Sequence, residues 1–433
     1  MSSLHPEAAA LNESLQQSNP AVERLLSKRG KGAYFPAKGI LSQTEAAKDK
    51  RINATIGTAL EDDGTPLRLD CLQQLVNIEP EAFLYAPSCG LPELRDRWQA
   101  MMRDKNPSLA GTAVSRPVVT QALTHALTLC GQLFLDEGEP LILPDLFWGN
   151  YRLIFTNGCG AELQTYPTFV DGAFNVDGLR AALGAGAPSK RVLLFNFPNN
   201  PSGYTVTEAE ADALLAILTE AAEAGNELVV LIDDAYFGLV YEDGVMAESF
   251  FGRAAQAHEN ILAVKIDGAT KEDYVWGFRV GFITYGIRGG DADLYSVLES
   301  KTAGAVRGSI SNAPRLSQAL LLKAFDALGY AEQKQHKYNT LKTRYDRVRQ
   351  IFAEHPEYAE QFVPVPFNSG YFMCVDLVKT EPDDVRQVLL DEFDTGLVAA
   401  AGLMRIAFSS APLNLLDELF ANLYQACKQV AGD

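Results

Sequence analysis

The chain has 433 residues, 47% of them apolar and 21% charged, with a formal net charge of −18. That length exceeds one simple core and suits two or three domains, and the composition is that of a globular protein rather than a disordered one. The acidic balance argues against nucleic acid or an anionic membrane as a partner, so any anionic ligand needs a local cluster of arginines. The six cysteines (Cys71, Cys89, Cys130, Cys159, Cys374 and Cys427) are scattered with no CxxC pair. Such spacing suggests neither a zinc site nor a disulfide framework, and fits thiols in a reducing compartment. The start, MSSLHPEAAALNES, has no basic region followed by an apolar stretch, and no apolar run reaches membrane-spanning length. A cytoplasmic protein without a signal peptide is expected.

Residues 1–50 are polar and interrupted by Pro6, Pro20, Gly30, Gly32, Pro36 and Gly39. They read as a short helix or two around Pro20–Ser27 and then an extended arm, either laid against a partner subunit or frayed. From about residue 118, short apolar runs alternate with amphipathic stretches, the rhythm of an α/β protein with a mostly parallel sheet. Strands are expected at Pro140–Leu143, Val192–Phe197, Leu228–Asp233, Ile261–Ile266 and Val280–Tyr285. Most are continuous apolar runs, as strands covered on both faces require. Between the second and third, Thr207 and Glu210 form a capping box, Ala211, Leu214, Leu215 and Leu218 share one face, and Gly225 ends the helix. A helical stretch follows from Leu316 to Phe352, then a smaller α+β unit with strands at Tyr371–Leu377 and Leu403–Phe408. The expected division is an arm at 1–50, a large domain at 68–335, and a small domain built from 51–67 and 336–433.

In an open parallel sheet, ligands collect beyond the C-terminal strand ends. There the chain places Asn200-Pro-Ser-Gly, then Asp233-Asp-Ala-Tyr236, then Lys271, then Arg279-Val-Gly. Singly, these are a turn, a capping or solvated carboxylate and a surface lysine. In this order they resemble the aspartate-aminotransferase family of pyridoxal phosphate (PLP) enzymes of fold type I, and the resemblance runs from about Asn53 to Ser410. It implies a large domain with a mostly parallel seven-stranded sheet covered by helices, plus a smaller α+β domain from both chain ends.

The resemblance also implies roles. Lys271 would carry PLP and shuttle the substrate's proton, with burial and nearby cations lowering its pKa. Asp233 would hold the proton on the pyridine nitrogen, and Asn200 and Tyr236 would donate to the phenolic oxygen. Arg279 would clamp the phosphate, with Thr124 adding a hydroxyl at a helix N-terminus. Trp148 would stack on the pyridine ring. Tyr85 would reach the phosphate of the neighbouring subunit's cofactor, making a homodimer with shared active sites. Arg405 would bind the α-carboxylate of an amino acid or 2-oxo acid. Arg307, also from the neighbour, would take a distal carboxylate, and Gly57 would let the backbone approach the substrate. Together these imply an aminotransferase acting on aspartate or glutamate with 2-oxoglutarate or oxaloacetate.

There are departures. Ala122-Leu123 stand where the phosphate loop often has two glycines, Gly268 where a serine often binds phosphate, and Tyr151 where a histidine commonly supports the aspartate. Alternatives on the same scaffold are a C–S lyase, a decarboxylase, a synthase, or an aromatic or aliphatic aminotransferase. A PLP-binding regulator would need a basic DNA-binding module, for which the first fifty residues are too short and turn-rich. A nucleotide-binding protein fails for lack of a GxGxxG or GxxxxGK[ST] segment.

Overall fold

A computed structural model describes residues 4–432 apart from 19, 35–38, 74, 76 and 185. The main sheet contains β1 (Val118–Thr120), β2 (Pro140–Pro144), β3 (Glu162–Tyr166), β4 (Lys190–Asn196), β5 (Glu227–Asp233), β6 (Ile261–Gly268) and β7 (Gly281–Gly286). Its seven strands lie in the order β1-β7-β6-β5-β4-β2-β3. All neighbours are parallel except β7, which is antiparallel to both β1 and β6.

The apolar runs have a direct cause. In β4, Val192 and Leu194 enter one hydrophobic core while Leu193 and Phe195 enter a second, and in β5 the side chains of Leu228 to Ile232 alternate likewise. A two-residue period that is apolar on both faces is what a sheet sandwiched between helix layers demands. Helix α1 (Ala122–Phe134) covers the first face with Ala126, Leu127 and Cys130; α2 (Glu208–Glu223) covers the second with Ala211, Leu214 and Leu218. Each fully buried leucine contributes roughly 2 kcal/mol. The capping box of α2 is present: Glu210 N–H donates to Thr207 Oγ1 (3.2 Å), and the Thr207 N–H donates to Glu210 Oε2 (2.8 Å). After α2 the chain turns at Gly225, whose φ of +97° suits only glycine without strain.

A second, antiparallel sheet holds β8 (Phe362–Pro364), β9 (Met373–Leu377), β10 (Val398–Ala400) and β11 (Leu403–Ile406), ordered β8-β9-β11-β10. Ile52–Asn53 pairs in parallel with Thr395–Gly396, so an early segment joins this C-terminal unit. Helix α3 (Ala292–Ser309) packs on α1; α4 (Tyr330–Glu354) and α5 (Leu416–Ala431) pack together in the C-terminal unit.

Three expectations need correction. The described part of the first fifty residues is not an extended arm but short helices at Pro6–Ser18, Pro20–Leu25, Lys28–Gly32 and Ile40–Ala46. The stretch Leu316–Phe352 is two helices, Arg315–Phe325 and α4, because Gly329 takes φ +83° between them. Strands β1 and β3 escaped the sequence reading: β1 is three residues long, and β3 has exposed or half-buried polar positions because it lies at a sheet edge.

The arm closes an edge of the second sheet. Gln43 Nε2 donates to the Ala399 carbonyl (2.8 Å) and Gln43 Oε1 accepts from the Ala399 N–H (2.8 Å). One side-chain amide thus satisfies both backbone groups of a residue in the outermost strand, as a further strand would.

Candidate active site

The C-terminal ends of β4, β5 and β6, the N-terminus of α1 and strand β11 converge on one cavity of about 540 Å³. Eleven of the thirteen predicted residues line it: Gly57, Ala122, Leu123, Thr124, Trp148, Asn200, Asp233, Tyr236, Lys271, Arg279 and Arg405. The other two, Tyr85 and Arg307, lie outside it and are exposed, and Arg307 Nη1 donates to Ser311 Oγ (2.7 Å).

Lys271 follows β6 and extends into the cavity, its Nζ 4.8 Å from the Tyr236 ring centre. The cavity leaves part of the side chain accessible, but the ammonium sits deep among protein atoms. Its pKa is lowered to about 8, chiefly by burial, with Asp233 opposing the shift and Arg279 adding to it. An amine so tuned is partly neutral near neutral pH and can take up a proton.

Asp233 ends β5 fully enclosed. Its Oδ2 accepts from the Tyr151 hydroxyl (2.6 Å), and its Oδ1 accepts from the Ala235 N–H (3.1 Å). Burial raises its pKa, while the Tyr151 hydrogen bond and the Lys271 charge pull it down. Tyr151 therefore supplies a neutral donor in place of the histidine the resemblance implies. Asn196 fixes the neighbouring backbone: its Nδ2 donates to the Asp233 carbonyl (2.8 Å) and its Oδ1 accepts from the Asn200 N–H (2.8 Å). Asn200 in turn hydrogen-bonds Tyr236, whose phenol pKa is raised by burial.

Arg405 stands on β11 and lines the same cavity, fully buried. It donates from Nη1 to Asn200 Oδ1 (3.2 Å) and from Nη2 to the Thr55 carbonyl (3.0 Å), and lies 4.3 Å from the Phe372 ring centre. The two sheets thus bring Lys271 and Arg405 to one cavity.

The departures acquire physical reasons. Ala122 adopts φ +62°, the left-handed conformation that glycine takes freely, at a cost of about 1–2 kcal/mol for a residue with a Cβ. A Cβ at Gly268 would fall 2.6 Å from the Val280 carbonyl oxygen, which bars serine there. Two residues on, Thr270 lines the cavity, and its hydroxyl is buried without a protein partner. At Gly57 an added Cβ would meet only Phe372, at 3.9 Å, so nothing within the chain requires glycine.

Sequence reasoning missed Tyr34, Gly39 and Ile40 of the arm, and Asn150, Leu153, Trp276 and Phe372. None belongs to a motif; only folding brings them there. It also missed a buried ionic cluster behind Asp233. Lys265 pairs with Asp234 and lies 3.4 Å from Asp267, while Ser249 donates to Asp234 (2.6 Å) and the Trp98 indole to Asp267 (3.1 Å). An alternating run of buried residues gave no sign of a charged partner. Among the described residues no group of three or more His, Cys, Asp or Glu side chains could hold a metal, and no helix is long and apolar enough to cross a membrane.

The cavity fits PLP. Thr270 Oγ1, Trp276 Nε1 and Arg405 Nε are buried polar atoms of its wall with no protein partner. Such atoms cost about 1–3 kcal/mol each unless a ligand satisfies them. Arg279 and the N-terminus of α1 offer positive charge for a phosphate, and Asp233 offers a carboxylate for a protonated ring nitrogen.

Comparison with known proteins agrees. The model of the family "Aminotransferase class I and II" matches residues 52–423. The aspartate/prephenate aminotransferase of Thermus thermophilus is 26% identical over 344 residues, 76% of this chain and 80% of that one. The probable N-acetyl-LL-diaminopimelate aminotransferase of Bacillus subtilis is 26% identical over 60% of this chain, a stretch spanning 62% of that protein's length. Among solved structures, an aminotransferase from Anaerococcus prevotii superposes with a TM-score of 0.80 at 23% identity, covering 93% of this chain and 98% of its own. The kynurenine aminotransferase of Pyrococcus horikoshii, solved with PMP, gives 0.76 at 16% identity, covering 94% and 98%. The chain therefore belongs to the class I and II aminotransferases, PLP-dependent transaminases of fold type I.

Proposed function

We propose that this aminotransferase moves the amino group of aspartate or glutamate to 2-oxoglutarate or oxaloacetate, as a cytoplasmic homodimer whose subunits complete each other's sites. The observation that carries the reading is Arg405 buried in the wall of the cavity that also holds Lys271 and Asp233, with its Nε unpartnered. An arginine desolvated to this degree suits a carboxylate held by two parallel hydrogen bonds.

In this reading each residue has one task. Bound PLP supplies an aldehyde for the substrate amine and a ring that accepts the electron pair left at the α-carbon. Asp233 stays ionised against the ring nitrogen, held there by the Tyr151 hydroxyl. Asn200 and Tyr236 donate to the ring's phenolic oxygen. Arg279, Thr124 and the backbone N–H groups around Ala122 and Leu123 hold the phosphate, and Trp148 covers the ring. Arg405 would fix the α-carboxylate and so aim the Cα–H at the amine of Lys271, which would carry that proton from the substrate's α-carbon to the cofactor's aldehyde carbon.

The dimer is supported by surface chemistry. Phe83, Leu84 and Tyr85 form an exposed apolar run, 80%, 61% and 87% accessible in the single chain. In the same reading Tyr85 reaches the partner's phosphate site, and Arg307, which has no ion pair among the described residues, takes the substrate's distal carboxylate. Residues 68–335 form the large domain, and 51–67 with 336–433 the small one. A second reading, an aromatic or aliphatic substrate, is favoured by the apolar wall of Tyr34, Ile40, Leu153 and Phe372.

The deciding measurement is the absorption spectrum of the PLP-loaded protein as L-aspartate is added without keto acid. Conversion to the pyridoxamine phosphate spectrum with release of oxaloacetate is expected. Silence with aspartate, but conversion by an aromatic or aliphatic amino acid, would overturn the dicarboxylate reading.

A further inference from the structure

A second cavity, of about 300 Å³, lies between the N-terminal arm and the body. Its arm side carries His5, Lys28, Arg29 and Tyr34; its body side carries Glu137, Arg152, Thr156 and Asn157. Two bonds hold the halves together: an ion pair between Lys28 and Glu137, and donation from Asn157 Nδ2 to the Gly32 carbonyl (3.0 Å). The volume is at the lower end for small-molecule sites.

The charges in this cavity do not cancel. Lys28 and Glu137 neutralise each other, but neither Arg29 nor Arg152 is in an ion pair among the described residues. The Arg152 guanidinium carbon lies 5.0 Å from the Phe147 ring centre, and its charge also reaches the Tyr34 phenol. The Tyr34 phenol lies within electrostatic reach of both Glu7 and Arg152, so the Glu7 carboxylate offsets part of the positive charge here. Three basic side chains (Lys28, Arg29 and Arg152) facing two carboxylates (Glu137 and Glu7) leave a net positive concavity in a chain of net charge −18. They focus positive potential at a point where the global field is negative. The planar, multiply donating heads of the two arginines suit an oxyanion.

Tyr34 ties this cavity to the first. It lines both, and its ring stacks on His5 with centres 4.2 Å apart and planes within 4°. The arm lies outside the family match, which begins at residue 52. We propose that the cavity between arm and body is a second binding site, for a small phosphate-type or polycarboxylate oxyanion held by Arg29 and Arg152. An occupant clamps the arm to the body and thereby fixes Tyr34 as part of the active-site wall. The inference stands on this cavity's own geometry and does not depend on the substrate proposed above.

The test is calorimetric titration of the PLP-loaded protein with inorganic phosphate and, separately, citrate. With PLP bound, the cofactor's own phosphate site is filled. Binding to the substrate site is identified with Arg405→Gln, and binding here with the double variant Arg29→Gln/Arg152→Gln. Both latter residues are exposed, and thermal unfolding checks that the variant is folded. The expected result is saturable binding that Arg405→Gln retains and the double variant weakens at least tenfold. A preference for phosphate or for citrate then tells a phosphate ester from a polycarboxylate. No saturable binding, binding that the double variant leaves unchanged, or binding that Arg405→Gln abolishes each overturns the proposal.

Discussion

Replacing Lys271 with methionine should make the PLP-free protein more stable at neutral pH, not less. The lysine's pKa falls from 10.5 to about 8 on folding, chiefly because burial penalises the charged amine. At about 1.4 kcal/mol per pH unit, that difference amounts to ~3 kcal/mol of lost stability, an upper bound because water in the cavity screens the charge. The attraction of Asp233 is already contained in the net value. The sign follows from proton uptake: between pH 8 and 10.5 the unfolded chain binds the proton and the folded chain does not. Stability from this group is thus complete above about 10.5 and fully lost below about 8. Methionine keeps most of the volume without the charge. Urea unfolding of both PLP-free proteins, at one fixed protein concentration, should show the variant ahead by about 1–3 kcal/mol at pH 7. The gap should close as the pH is raised past 10. A variant no more stable than the parent at pH 7, or a gap independent of pH, would refute the assigned cause.

Four further outcomes follow from the geometry. Tyr151→Phe removes a 2.6 Å donor from a buried carboxylate and should cost about 1–3 kcal/mol, with weaker PLP binding measured by equilibrium dialysis. Gly281→Ala sets a Cβ 2.6 Å from the Ala122 carbonyl carbon, where only backbone can yield, so it should cost about 1–3 kcal/mol in unfolding and lower PLP affinity. Arg405→Lys keeps the charge but not the fork, and kcat/KM for all amino acids should fall on the order of 100-fold. Arg307→Ala should weaken L-aspartate alone by about 10–100-fold, the loss of one charge-assisted hydrogen-bonded pair, and leave amino acids without a distal carboxylate unchanged in steady-state assays.

Most of the sheet and the core of the site were legible in the sequence, for physical reasons. Strands covered on both faces must be apolar throughout, so β4, β5 and β6 announced themselves, and their ends marked where Asn200, Asp233 and Lys271 would meet. Edge strands carry no such constraint, and β3 stayed hidden. Motif spacing pointed to residues that line one cavity, because most of them lie near a strand end or a helix start. Tyr34 and Ile40 could not be found this way. Their position depends on where four short helices of the arm dock, and docking leaves no periodic trace in a polar segment. The departures at Ala122 and Gly268 were visible as letters, but their meaning was not. It took the left-handed backbone at 122 and the carbonyl crowding 268 to show that one holds a strained conformation and the other forbids a side chain.

The pairing of Gln43 with Ala399 bears on how this protein fails as well as how it folds. Strand β10 is the last of its sheet, and the glutamine amide occupies both hydrogen-bonding groups of its middle residue. Proteolytic loss of the arm uncovers that edge and presents an open template to any extended segment, including the same edge of another molecule. The arm is therefore also a guard against aggregation, and a trimmed preparation should lose solubility while its cofactor pocket is still intact.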